Sequence, residues 1–262
     1  MDIKPARRNW TYLFYLNGDN DLREHTSLDF VRLQRGGCPQ DSAIVAQVYR
    51  GEERWSWKNL GQKLTDLARP ALPSALQEDW RGCKTFVIDP QGCREMPGPA
   101  SASPSRAESL QEFVERGMRE YPAENYALVV STHGEGPAGL LRDGDGHLMD
   151  LESFRETLLT AQKNGGSRLQ LLALQACRMG QTAALAGLTG CAEYVLASTR
   201  SIPAGQARYD QLMPQLGSAQ TPEAVAEQFE QSFQATMPGF QLHSGAEPVA
   251  ATIRGKKLTE EQ

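Results

Sequence analysis

Two residues of this chain have the types and settings that nucleophilic catalysis needs: Cys177 and His133. Each follows a long apolar run. Tyr126-Ala127-Leu128-Val129-Val130 leads into Ser131-Thr132-His133-Gly134-Glu135-Gly136, and Leu169 to Leu174 leads into Gln175-Ala176-Cys177-Arg178-Met179-Gly180. A thiolate is a strong nucleophile, and a neighbouring imidazole can take the thiol proton and return it to a leaving amine. Glycine beside the histidine lets a substrate backbone come close. The N–H groups of Gly134 and Cys177 are candidates to hold a developing oxyanion. Alone, either side chain also fits simple packing. Together, at the ends of two core strands, they favour a Cys–His pair. A helix is expected to start just after Cys177, with its positive end near the thiol.

The strands decide whether the pair can meet, because reactive groups in an open α/β sheet gather where strand C-termini run into loops. Trp10 to Leu16 is the first strand, ending in the turn cluster Asn17-Gly18-Asp19-Asn20-Asp21, and a helix follows to about Gln34. Ala43 to Tyr49 is a second buried strand, with Trp55 to Lys58 and Lys84 to Ile88 as a strand pair beside it. Ser105 to Tyr121 has helical periodicity, with Leu110, Phe113, Val114 and Met118 on one face. Tyr126 to Val130, Leu169 to Leu174 and Tyr194 to Ala197 are further core strands. Leu140 to Met149 reads as a hairpin around Asp143-Gly144-Asp145-Gly146, and Asp150 caps a helix to about Gln162. Ala224 to Phe233 is an amphipathic helix, and Pro248 to Ile253 is expected to be the last strand. The alternation points to an α/β layered fold: a single domain over 1–262, open to a C-terminal extension.

The 262 residues are 40% hydrophobic and 23% charged, ordinary for a globular protein with a sizeable core. A net charge of -5 without a Lys/Arg block argues against a nucleic-acid partner. No apolar run suggests a leader or a membrane span, so a cytoplasmic location is expected. The five cysteines are widely spaced, without a CxxC pair or Cys/His cluster, and read as reduced thiols. Pairing of Cys83 with Cys93 across a hairpin is the weaker alternative.

Several segments resemble the clostripain family of cysteine peptidases, which shares a clan with caspases. They are Trp10 to Leu16 with Gly18-Asp19-Asn20-Asp21-Leu22, Tyr121 to Leu128 leading to His133-Gly134, and Ala176-Cys177 with Met179. Tyr194 to Ser198, followed by Ile202-Pro203, Gly205 and Tyr209, continues the resemblance, as does Ala251-Thr252-Ile253. It implies a caspase-like three-layer αβα sandwich with a mostly parallel sheet, and a cysteine endopeptidase. It also implies a His133–Cys177 dyad with no obligatory third member, Gly134 as oxyanion donor, and a substrate strand pairing with the loop after Ser198.

The chain departs from that family two residues before the nucleophile. Clostripain-type enzymes usually carry aspartate there, which attracts a basic P1 side chain; here the position is Gln175. A neutral amide supplies no such charge. Gln175-Ala176-Cys177-Arg178 resembles the caspase nucleophile segment instead. Caspase pockets combine that glutamine with arginines, a part open to Arg200 in the presumed substrate loop. The expected P1 residue is therefore acidic, polar or small, not strictly Arg or Lys.

Asp19 and Asp21 end the first strand, where they suit helix capping or the rim of the substrate site. Asp143-Gly144-Asp145-Gly146 fails the EF-hand pattern, since His147 and Phe154 occupy ligand positions. No cofactor is expected, although some clostripain relatives use calcium. The expected partner is a protein substrate, with one dedicated to a defence or cell-death system as a candidate. A catalytically silent caspase-like binding module is the competing function. Lys163 to Arg168 is a candidate processing site, but a plain helix-to-strand loop fits it better.

Overall fold

The computed structural model describes residues 7–51, 80–97, 103–218 and 221–245. Its strands are β1 (Arg8–Gly18), β2 (Ser42–Arg50), β3 (Gly82–Asp89), β4 (Gly92–Met96), β5 (Ala123–Ser131), β6 (Leu171–Gln175), β7 (Tyr194–Ser198) and β8 (Phe240–Ser244). The helices are α1 (Arg23–Gly36), α2 (Ala107–Glu120), α3 (Leu151–Gly165), α4 (Thr182–Gly187), α5 (Tyr209–Gln215) and α6 (Pro222–Thr236).

All eight strands form one sheet in the order β4-β3-β2-β1-β5-β6-β7-β8. The central pairs β2–β1, β1–β5, β5–β6 and β6–β7 are parallel. The outer pairs are antiparallel. The apolar runs follow from this placement, because a central parallel strand is covered on both faces and has no polar side. Trp10, Tyr12, Phe14 and Leu16 of β1 face one layer, whereas Leu13 and Tyr15 face the other. The first layer holds α1, α5 and α6, through side chains such as Phe30, Leu212 and Phe229. The second holds α2, α3 and α4, through Phe113, Phe154 and Leu185 among others. The result is the expected αβα sandwich. The predicted face of α2 is buried as expected, with Leu110, Phe113, Val114 and Met118 all in the core.

Two features of the sheet position the site. The chain runs outward from β1 to β4, then returns to β5 on the other side of β1. That reversal opens a crevice beyond the C-terminal ends of β1 and β5. Beside it, β5 and β6 pair so that Ser131 lies opposite Gln175. His133 and Cys177 each follow by two residues. Equivalent places on adjacent parallel strands are about 5 Å apart, so the register brings the two residues to one place.

Several expectations are corrected. Phe240–Ser244 forms one edge strand that was not expected, and the expected strands Pro248 to Ile253 and Trp55 to Lys58 lie outside the described residues. Leu140 to Met149 makes only a single bridge, between those two residues, instead of a hairpin. The Asp143 carboxylate takes the N–H groups of Asp145 and His147 at 3.1 and 2.9 Å, and its other oxygen takes the Ser103 and Ser105 hydroxyls. Those bonds draw the turn's backbone away from a ladder. Cys93 pairs across the β3–β4 hairpin with Ile88, not Cys83, and all five cysteines are free.

Candidate active site

Cys177 sits on a turn at residues 177–180, and α4 begins only at Thr182. The expected helix start at the thiol is therefore wrong, and the dipole of this short helix does not explain its placement. The turn is held by the loop after β7 instead. The Arg178 N–H donates to the Arg200 carbonyl at 3.0 Å, and the Gly180 N–H to the Ser198 carbonyl at 2.8 Å. Gly180 is required for that approach: a Cβ there would lie 2.8 Å from the Ser198 carbonyl carbon. Arg178 adopts a φ of 63°, a left-handed conformation that costs a non-glycine residue about 1 kcal/mol. The Ile202 N–H donates to the Cys177 sulfur at 3.4 Å. Such a bond strengthens as the sulfur gains negative charge.

His133 is about one-third exposed, and its Nε2 lies 2.6 Å from Asp21 Oδ1. An ionised carboxylate only accepts, so Nε2 carries a proton in this bond. Asp21 does not cap α1. That helix has Leu22 at its N-cap without a side-chain bond, and Asn20 Oδ1 receives the Leu22 N–H at 2.8 Å. Gly134 packs on the nucleophile's backbone, where a Cβ would stand 3.0 Å from the Cys177 nitrogen. Only glycine brings the two peptide groups so close.

Two cavities flank the pair. One of about 170 Å³ is shared by His133 and Cys177 and lined also by His25, Thr26, Ser131, Gln175 and Ile202. The other, about 820 Å³, runs from His133 over Asp19, Asp21 and Asp143 to Asp145. Burial, with Asp143 and Asp145 nearby, raises the Asp19 carboxyl above its ordinary value, although a Gly144 N–H opposes the rise. Burial alone would also raise Asp143. The hydrogen bonds from Ser105, Ser103 and His147 outweigh it and hold Asp143 low.

Both Asp143 oxygens already take protein donors, and Asp21 Oδ1 is taken by His133. Among the described residues, no three His, Cys, Asp or Glu side chains group as metal ligands.

The other sequence-derived candidates divide. Gln175 lines the smaller cavity and Asp19 the larger. Ser198 is fully buried, and its hydroxyl bonds the Arg200 backbone. Arg200 packs its side chain against Gly239 and lines neither cavity. Both residues touch the site only through the carbonyls that hold the Cys177 turn. Asp29 was missed entirely, because an aspartate inside a helix reads as a solvated charge. It is fully buried, and burial raises it to about 7, against hydrogen bonds from Gln175 and Ser131 and the charge of Arg32. The helical spacing of Leu22, Thr26 and Asp29 was the signal available. Burial pushes the thiols of Cys38 and Cys191 up to about 12, which makes them poor nucleophiles at neutral pH.

An αβα sandwich with histidine and cysteine at adjacent strand ends, beside the crevice of a parallel sheet, defines the caspase-like class of cysteine-peptidase fold. The clostripain family model matches residues 95–241, more than half of the chain and inclusive of His133 and Cys177. The chain belongs to the clostripain family. Among solved structures, it is similar to an inactive zymogen of a C11 protease from Parabacteroides distasonis. The identity is 18% and the TM-score 0.64, over 93% of this chain and 64% of that one. It is also similar to a secreted C11 cysteine protease from Bacteroides thetaiotaomicron in complex with an irreversible peptide inhibitor, at 18% identity and TM-score 0.66, over 91% and 66% of the two chains. A third is iotapain, a secreted C11 cysteine protease of the same organism, at 12% identity and TM-score 0.66, over 92% and 67%. At such identities the likeness is one of fold. The chain spans 64% of the zymogen's length. No curated protein matches it.

Proposed function

We propose that the protein is a cysteine endopeptidase that cleaves a protein substrate through Cys177 and His133. The observation that carries this reading is the meeting of both side chains on one cavity, at matched positions beyond paired strands. His133 Nδ1 takes the Cys177 proton, and the sulfur attacks the scissile carbonyl carbon. The N–H groups of Gly134 and Cys177 receive the resulting oxyanion. The imidazolium then protonates the leaving amine as the C–N bond breaks, which leaves a thioester on Cys177. Water, deprotonated by His133, attacks the thioester and releases the acid product and the thiol. Asp21 holds the imidazole on its Nε2 side and stabilises the imidazolium as it forms.

Each of these proposed steps is carried by a protein group, and calcium is left to the test below. P1 is not restricted to Arg or Lys, because the position two before the nucleophile is the neutral Gln175. A bacterial, cytoplasmic enzyme with a dedicated protein partner, in a defence or cell-death system, is the setting we propose. No helix of the described residues is long and apolar enough to cross a membrane.

The test is a mixed peptide library incubated with the protein and with Cys177→Ala, each with calcium and with a chelator. The reading expects cleavage in both conditions that is lost in the variant. Absence of any Cys177-dependent cleavage sinks it in favour of a binding module.

A further inference from the structure

The small cavity beside Cys177 has a polar floor whose hydrogen bonds all run one way. Asp29 on α1 lies behind that floor, fully buried. Its Oδ2 accepts from Gln175 Nε2 at 3.0 Å and from the Ser131 hydroxyl at 3.3 Å. Tyr209 donates its own hydroxyl to Gln175 Oε1 at 2.5 Å. The protons of Ser131 and Tyr209 are thus consumed inside the protein, together with one of the two Gln175 amide protons. What is left over is almost entirely acceptor capacity. At the cavity, Ser131 Oγ keeps both lone pairs and Gln175 Oε1 keeps one; Asp29 does not line the cavity, and its Oδ1, behind the floor, has no hydrogen-bond partner. Set against these is a single remaining N–H of Gln175.

The walls add the His25 ring and the Thr132 hydroxyl, which accepts from Asn17 Nδ2 at 3.0 Å and keeps its own proton, but no cation. No arginine or lysine lines the cavity. Arg32 lies near Asp29, but its Nη1 is spent on the carbonyls of Gly205 and Ala207 at 2.7 and 2.8 Å, which pins the loop that walls the cavity. Arg200, the one loop arginine open to a caspase-like role, packs on Gly239 instead.

We propose that this cavity is a donor-selecting S1 pocket, in which Asp29 sets the polarity. It takes a P1 side chain ending in N–H groups, whether a neutral amide or a cation, and turns carboxylates away. The inference rests on the peptidase reading and names the P1 class for it. It also narrows the acidic, polar or small expectation by removing the acidic choice. A P1 amide or cation meets the unfilled lone pairs of Ser131 and Gln175. A P1 carboxylate brings acceptors against acceptors, in front of a buried acid, with the Gln175 N–H and the Thr132 O–H to offset them.

The test is a set of fluorogenic peptides that differ only at P1, carrying Gln, Lys, Glu or Asp, assayed at pH 8 where Asp29 is ionised. We expect kcat/KM for Gln and Lys to exceed that for Glu and Asp by at least about 30-fold. In Asp29→Asn, the Gln-to-Glu ratio is expected to narrow about ten-fold. Equal or preferred cleavage after Glu or Asp by the wild-type protein overturns the inference without touching the peptidase reading. Because the buried variant can fail to fold, irreversible peptide probes with P1 Gln or P1 Glu supply a second measurement. Faster labelling of wild-type Cys177 by the Gln probe supports the pocket assignment, and equal rates refute it. If no P1 residue is cleaved and neither probe labels Cys177, the peptidase reading itself falls.

Discussion

Asp21 Oδ1 holds His133 Nε2 at 2.6 Å, across a link from the end of β1 to the end of β5. The two residues are 112 positions apart in sequence and meet because β1 and β5 are parallel neighbours. The bond adds an acid to the histidine that shares the smaller cavity with Cys177. Asp21 is 70% exposed, so solvent screens its charge and its effect is mainly on orientation and tautomer.

Asp21→Asn is therefore expected to lower kcat about ten-fold with little change in KM, and Asp21→Ala somewhat more. Steady-state kinetics on a cleaved peptide separate the two parameters. An equal rise in KM with kcat unchanged would assign Asp21 to substrate binding instead.

Asp29 predicts a pH dependence of stability with a definite sign. Burial raises its folded value from 3.8 to about 7. Between those values the unfolded chain has lost a proton that the folded chain keeps. The contribution is full below about 4 and is lost as pH rises through about 7, an effect on the order of 4 kcal/mol. Asp29→Asn has no carboxyl to titrate. Its stability relative to the wild type should therefore rise from pH 5 to pH 8 in urea titrations. A constant difference across that range would mean that Asp29 stays ionised throughout.

The Cys177 turn depends on a contact with no side chain in it. Gly180→Ala would place a methyl 2.8 Å from the Ser198 carbonyl carbon and 2.9 Å from the Thr199 nitrogen, both backbone atoms. The loop after β7 must then shift, and with it the Ile202 N–H on the sulfur. Activity should fall at least about ten-fold, while the melting temperature drops by only a few degrees. Unchanged activity would show that the turn tolerates the displacement.

Much of the sheet was legible, because buried parallel strands are continuous apolar runs and the sequence shows them directly. The outer elements were less so. β8, Phe-Gln-Leu-His-Ser, has mixed polarity because it lies at an edge, and Leu140 to Met149 has hairpin composition but spends its turn on the Asp143 carboxylate.

By itself the sequence determined which residue types stand at strand ends: a histidine before glycine, a cysteine on a turn, and no charge two residues before it. These are local facts, carried by the apolar runs that precede them. Only the tertiary structure decided who faces whom. The β5–β6 register put His133 beside Cys177, the strand-order reversal put Asp21 behind His133, and the packing of α1 under the sheet buried Asp29 against Gln175. Those pairings join residues 44, 112 and 146 positions apart, and no local periodicity encodes such distances.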